Sequence, residues 1–378
     1  MRLRLVGVLS GALLLSACAT ARAPDEAPSP PTSPAPSPGA PSPEAPPPAP
    51  IAFSALTGWA EADHAEAFAA YQATCGVAKA PAEVEVCRRA RAQPRLENDA
   101  AQAFFEANFR LEPVPGEGVL TAYYAPEYTA RTTPDAEYSA PVRPKPANHA
   151  ALYGRADRAA IEATPPDQVL AWMRPEELFF LQIQGSGVLT FADGARVKVL
   201  FAAHNDLPFS GIANAMRDRG LLAADNTSGE AIRAWLADRR GPEADAIMRL
   251  NRRYVWFRLE ADDGLHPLGA AGVPLPPDHA IAVDLSQHRV GELFWIDAEA
   301  PILSGAFPTY RRLAVALDTG GAIKGQVRAD LYLGSGPEAG VEAGRVRHTL
   351  RMVRLAPRVW GMSMVTGFIG DLVRFNLV

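Results

Sequence analysis

Between His279 and Gly334 the chain carries four short apolar runs, HAIAVDLS, LFWI, RLAVALD and ADLYLG, with Pro or Gly punctuating between them. No stretch between them has the three- and four-residue apolar spacing of a crossover helix. A parallel sheet needs such crossovers, so this region is expected to close as a small β-barrel.

The upstream texture differs. From about residue 57 to 110 the pattern is helical, and HAEAFAAYQATC and NDAAQAFFEANF place Ala and Phe at helical spacing. Asn98 or Asp99 is the expected N-cap of the second of these. From about 120 the chain turns to short strands. In FFLQIQGSGVLTFADGARVKVLF, Leu181 and Ile183 alternate with Gln182 and Gln184, which predicts a strand with both glutamines on one face. Ala192-Asp193-Gly194 reads as a hairpin turn. A helix is expected from Thr227, where TSGE forms a capping box with Glu230, and RYVWFRL is a strand near 260. Helices first, a β-rich middle and a terminal barrel place the chain in the mainly β, α+β class.

The first fifty residues add no core. Residues 1–18 have Arg2 and Arg4 followed by an apolar run from Val6 to Leu15, the pattern of a secretory signal. Leu15-Ser16-Ala17-Cys18 resembles a bacterial lipobox, so Cys18 is the expected lipidated N-terminus. Ala19 follows it rather than Asp, which points to the outer membrane. Residues 19–50 form a Pro-rich linker that cannot bury a core. Its part from 23 to 50, extended at about 3.1 Å per residue, reaches on the order of 80 Å. About 325 residues remain, enough for two packed domains. A net charge of −5 offers no basic surface to nucleic acid. Cys75 and Cys87 fit either a disulfide in an oxidising compartment or two separate thiols.

Several chemistries lack their residues. The histidines at 64, 149, 204, 266, 279, 288 and 348 show no H-E-x-x-H or paired spacing, so no metal or other cofactor is expected. GGAIKG contains Lys324 but not the P-loop pattern, and QGSGV around Ser186 has Gln184 in place of the first glycine of G-x-S-x-G. Carboxylates remain. Asp284, Asp318 and Asp330 each fall at an expected strand edge. Glycosidic cleavage needs a proton donor, and a desolvated aspartic acid can keep its proton near neutral pH. From spacing alone, the ordinary role of capping turns is favoured.

Five motifs occur in order: GVLTAYYAPEY, FFLQIQGSGVLTFADG, NRRYVWFR, GAAGVPLPPDHAIAVD and ALDTGGAIKGQVRADLYLGSG. Over about residues 118–345 this set resembles the membrane-bound lytic murein transglycosylase A family. Asp284, Asp318 and Asp330 look like the aspartates that name its 3D domain. The resemblance implies a double-psi β-barrel with N-terminal helices, from residues 51–125 and 265–356, and a smaller β-barrel inserted at 126–264. A groove between them takes the glycan strand of peptidoglycan. Residues 357–378 extend past the family's usual end. The implied reaction cleaves the β-1,4 bond between N-acetylmuramic acid and N-acetylglucosamine. A single aspartic acid serves as acid and then base, leaving 1,6-anhydro ends. Family members carry GQHFDIY where this chain has GQVRADLY, one residue longer, so Asp330 aligns with the acid and Asp318 is a supporting neighbour. Substrate contacts are expected from Tyr123, Tyr124, Gln182, Gln184, Ser186, Lys324 and Asp284. Expected partners are glycan strands, the outer membrane through a lipid anchor, and a cell-wall synthase or hydrolase complex, with no nucleic acid. A water-using muramidase and a noncatalytic murein-binding lipoprotein are the rival readings.

Overall fold

The computed structural model describes residues 51–223, 225–300 and 307–358. The expected leader with Cys18, the Pro-rich linker and the tail beyond Arg358 lie outside the described residues. Three helices come first: α1 (His64–Thr74), α2 (Pro81–Arg91) and α3 (Asn98–Asn108). Asn98 opens α3 but does not cap it; its Oδ1 accepts from the backbone N–H of His64 at 2.7 Å and of Ala65 at 3.1 Å, so it caps α1 instead. A disulfide joins Cys75, just after α1, to Cys87 of α2.

Next come β1 (Phe109–Pro113), β2 (Gly118–Ala125), β3 (Glu127–Thr129), β4 (Ala140–Val142), α4 (His149–Leu152), α5 (Arg158–Ala163), β5 (Ala171–Met173), α6 (Pro175–Gln184), β6 (Gly187–Thr190) and β7 (Arg196–His204). Helices α7 (Ala213–Asp218), α8 (Gly229–Asp238) and α9 (Pro242–Met248) precede β8 (Val255–Ala261). The remaining elements are β9 (Ala280–Val283), β10 (Leu293–Glu299), β11 (Thr309–Asp318), β12 (Arg328–Ser335), α10 (Gly336–Ala343) and β13 (Arg347–Pro357).

Six strands close a ring in the order β13, β10, β11, β9, β12, β2 and back to β13, with β1 added outside β13. Two contacts in the ring, β11 with β9 and β12 with β2, are parallel; the other four are antiparallel. This is the expected barrel. Side chains alternate as a half-covered strand requires. Phe294, Ile296, Ala314, Ala316, Ala329 and Leu331 fill the interior. Leu293, Trp295, Leu313, Val315 and Leu317 point outward, under Phe68, Tyr71, Val86 and Phe105 of the helices.

The chain between β2 and β9 builds a second sheet, in the order β3, β6, β7, β8, plus the β4–β5 pair. Bridges Arg131 to Trp172 and Pro144 to Phe257 connect the two sheets at both ends, which closes the smaller barrel. Tyr128, Met173, Leu181, Leu189, Val199 and Phe257 form its core.

Two local expectations are overturned. Residues 181–184 are helical, the last turn of α6, not a strand. Pro175 at the first helical position and Gly185 at φ 88° set its ends, and four residues of alternation are too few to outweigh those signals. The helix expected at Thr227 starts one residue later, capped by Ser228, whose Oγ accepts from Ala231 N–H at 3.2 Å. Helix α10 follows the last of the four apolar runs, between β12 and β13, with Pro337 in its first turn.

Gly118 sits where β2 meets the chain entering β12. A Cβ on it would lie 1.5 Å from the Val327 carbonyl oxygen. Both groups are backbone, so neither can swing aside. Gly118→Ala is expected to cost about 3 kcal/mol or more of stability, read as a lower urea midpoint with an unchanged slope. A midpoint equal to wild type would show that this crossing tolerates the methyl group.

Candidate active site

The outer face of β12 carries Arg328 and Asp330 two residues apart, while Ala329 and Leu331 point into the barrel. On the neighbouring β2, Thr121 and Tyr123 share the corresponding outer face, and the parallel register sets Asp330 opposite Thr121. On its other side Asp330 faces Ala282 of β9. These residues floor a groove of about 300 Å³. The smaller barrel forms its opposite wall with Gln182, Gln184, Phe201, Asn251 and Arg253.

Asp330 lies within a strand, not in a loop. Its Oδ1 is hydrogen-bonded to the Thr121 hydroxyl, and Arg328 Nη2 donates to that same hydroxyl at 2.8 Å. Burial pushes the Asp330 carboxyl above the ordinary carboxylate range. The Thr121 bond and the Arg328 charge pull the other way, and the like charge of Asp318 adds to the rise.

Asp318 ends β11. Its Oδ1 accepts from Ala270 N–H and Thr319 N–H, each at 2.9 Å, and its Oδ2 accepts from the Tyr123 hydroxyl at 2.8 Å. Burial raises this carboxyl too, against three donors that favour its ionised form. Asp284 is different. Its oxygens accept from Ser286 N–H and Oγ and from Gly325 N–H at 2.8–3.1 Å, and its carboxyl is pulled down to about 2. It ties the glycine-bearing loop to the end of β9 and does not line the groove. Lys324 is exposed, with Nζ 3.6 Å from Asp284, and is also off the groove.

The helical form of α6 separates the two glutamines. Gln182 is buried, accepting from Arg158 Nη1 at 2.6 Å and donating to the Val255 carbonyl at 3.1 Å. Gln184 accepts from Tyr124 N–H at 3.2 Å. Tyr124 itself is buried under α10, where a Cβ on Gly340 would touch its ring at 2.7 Å. The Ser186 hydroxyl accepts from Phe201 N–H at 3.4 Å. Thus Asp330, Asp318, Tyr123, Gln182 and Gln184 line the groove, while Tyr124, Ser186, Lys324 and Asp284 do not.

Thr121, Arg328, Arg253, Phe201, Phe209 and Asn251 also line the groove and were missed in the sequence. Thr121 was within reach: it shares the alternation phase of Tyr123 in GVLTAYY. Arg253 was not, because its place depends on contact across the groove. A Cβ on Gly321 would meet its guanidinium carbon at 3.0 Å. Among the described residues, no group of three or more His, Cys, Asp or Glu is placed to hold a metal.

Comparison with known proteins gives consistent relatives. Residues 119–258 match the model of the MltA specific insert domain, and residues 279–356 match that of the 3D domain. The membrane-bound lytic murein transglycosylase A of Escherichia coli strain K12 is 33% identical over 258 residues, covering 67% of this chain and 67% of that protein. The crystal structure of a membrane-bound lytic murein transglycosylase from Agrobacterium tumefaciens superposes with a TM-score of 0.71 at 32% identity, over 82% of this chain and 97% of that one. The crystal structure of E. coli MltA with bound chitohexaose gives 0.63 at 27% identity, over 82% and 90%.

The raised Asp330 carboxyl has a consequence for stability. The folded state holds its proton more tightly than the unfolded chain does. The resulting stabilisation is complete below the unfolded value of about 3.9 and is lost as pH rises through the folded one. Asp330→Asn removes the charge at constant shape. Its Tm is expected to exceed that of wild type near pH 7 and to match it near pH 3. An equal offset at both pH values would contradict a desolvated carboxyl.

Proposed function

We propose that this chain, which belongs to the membrane-bound lytic murein transglycosylase A family, is a lyase that cleaves the glycan strands of peptidoglycan at the bond from N-acetylmuramic acid to N-acetylglucosamine. The observation that carries the reading is a single half-buried acid on the floor of the groove with one free oxygen. Among the described residues, Asp330 Oδ2 has no hydrogen-bond partner, and the groove's acidic lining is confined to Asp318 and Asp330, both on the barrel side. The opposite wall offers amides, rings and a guanidinium but no carboxylate. A hydrolase that activates water needs a second carboxylate facing the first across the scissile bond.

In the proposed reaction the Asp330 carboxyl gives its proton to the bridging oxygen as the C1–O bond breaks. The resulting carboxylate takes the proton of the muramic acid's own C6 hydroxyl, and that oxygen bonds to C1. The product is a 1,6-anhydro sugar, no water enters, and Asp330 regains its proton. The tethered hydroxyl supplies the effective concentration that a separately activated water would need. Asp318, saturated by three donors, holds Tyr123 and the start of the glycine loop in place. Tyr123, Gln184 and the exposed Phe201 are the proposed sugar contacts. A bound chitohexaose in the E. coli relative supports an oligosaccharide in a groove of this fold. We read residues 126–264 as an inserted domain forming one wall, and Cys18 as a lipid anchor facing the periplasm from the outer membrane.

Digestion of purified murein tests the reading by mass spectrometry. The products are expected to be about 18 Da lighter than their hydrolysed counterparts, the mass of the water not consumed. Asp330→Asn is expected to lose activity by at least about 10³-fold while still pelleting with murein. Reducing-end products would establish a muramidase. Murein binding without any release by wild type would establish a binding protein.

A further inference from the structure

Arg328 stands in the stretch where this chain departs from the GQHFDIY pattern. We infer that Arg328 is a positioning residue that acts through Thr121 to confine the working proton of Asp330 to Oδ2, the oxygen left without a partner. This rests on the reading of Asp330 as the acid and base.

The inference follows from the direction of two hydrogen bonds. A guanidinium only donates. Arg328 Nη2, 2.8 Å from Thr121 Oγ1, therefore uses a lone pair of that hydroxyl and cannot receive its hydrogen. The hydroxyl has one hydrogen, and its other partner is Asp330 Oδ1. Donation to Oδ1 is the arrangement that gives that hydrogen an acceptor among the described residues. With that oxygen engaged as an acceptor, the carboxyl proton resides on Oδ2, which has no partner among the described residues. The same atom can give a proton to the leaving oxygen and take one from the C6 hydroxyl, as a one-carboxyl cycle requires. Without Arg328 the hydroxyl is free to reverse. Asp330 can then place its proton on Oδ1, pointing into Thr121 and away from the substrate.

Arg328 is itself fixed. It is half-buried, and Nη1 donates to the Val119 and Ala329 carbonyls, which staple β2 to β12. The charged and titratable groups around the pair are few. Asp318 at the end of β11 and Tyr123 on β2 face Asp330, while β9 presents only Ala282. Arg347 of β13 is the register partner of Thr121 and repels Arg328. Arg253 on the opposite wall lies against Gly321. Arg328 is the cation whose charge lowers the Asp330 carboxyl.

The test is the pH dependence of kcat/KM for murein digestion in Arg328→Met, Thr121→Val, Thr121→Ser and the double variant Arg328→Met/Thr121→Val. The alkaline limb reports the acid's pKa in the free enzyme. Loss of either the cation or the hydroxyl donor removes support for the carboxylate. Arg328→Met and Thr121→Val are each expected to move that limb up by about one pH unit and to lower kcat about 10- to 100-fold, with KM within about twofold of wild type. Thr121→Ser is expected to keep the wild-type limb. The double variant is expected to lose no more kcat than Thr121→Val alone, because proton placement runs through the hydroxyl, while its limb moves further because the Arg328 charge also acts on Asp330 directly. An unmoved limb in Thr121→Val overturns the proposal, even if Arg328→Met does not fold. So does an Arg328→Met loss that is undiminished in the Thr121→Val background, or one that appears wholly in KM. Asp330→Asn run alongside separates the two claims: if it stays active, the assignment of Asp330 fails, whatever Arg328 does.

Discussion

The parallel contact of β2 with β12 is the constraint on which the rest of this structure depends. It brings together residues separated by 209 positions, Thr121 and Asp330. It forms one of the two parallel pairings of the barrel, and β2 also pairs with β13 to close the ring. It can form only because Gly118 presents no side chain to the Val327 carbonyl. A pairing so distant in sequence carries a large loop-closure cost, repaid by the interior packing of Leu120 against Ile281, Ala329 and Leu331. Fold and chemistry therefore share one contact: the register that seals the barrel also sets the hydroxyl against the carboxyl.

The smaller barrel's position over the groove follows from the same strand. β2 ends at Ala125 and β3 begins at Glu127, so the insertion leaves the larger barrel beside the acid. Its return brings Asn251 and Arg253 to the groove just before β8. Gly320 and Gly321 lie opposite, and a methyl group on Gly321 would make the Arg253 guanidinium, 3.0 Å from it, shift. In DTGGAIKG, Gly321 thus admits the close approach of Arg253, and Gly325, at φ 110°, is the one that needs a left-handed backbone.

Much of the barrel was legible in the sequence because its signals are local. Period-two alternation in LFWI and RLAVALD separates interior Phe294, Ile296, Ala314 and Ala316 from outward Trp295, Leu313 and Val315. The failures came where a local signal was short or a partner was remote. Four alternating residues at 181–184 carried too little information against Pro175 and Gly185 at the ends of α6. Asn98 carries a good capping side chain, but tertiary packing turned it to the first turn of α1. The motif resemblance singled out Asp330, Asp318 and Tyr123, whereas the roles of Arg328 and Thr121 require knowing which strand lies beside β12. Alternation can state which face a residue occupies; it cannot name its neighbour.

Three aspartates of one motif set show how far environment separates identical side chains. Asp284 accepts from three close donors with a lysine nearby, and its carboxyl falls to about 2. Such a group stays ionised across the neutral range and can only anchor a loop. Asp318 also has three donors, yet burial outweighs them and holds its carboxyl above the ordinary range. All its favourable contacts are already made, so proton transfer there would break bonds to Tyr123, Ala270 and Thr319. Asp330 has one donor on one oxygen and none on the other. Burial favours its neutral form, the nearby cation limits that preference, and the free oxygen is the only one of the six that can exchange a proton without first losing a partner. Donor count sets Asp330 apart from the other two; Asp284 and Asp318 each have two donors on one oxygen and one on the other, and they diverge because hydrogen bonds and Lys324 lower the first while desolvation raises the second.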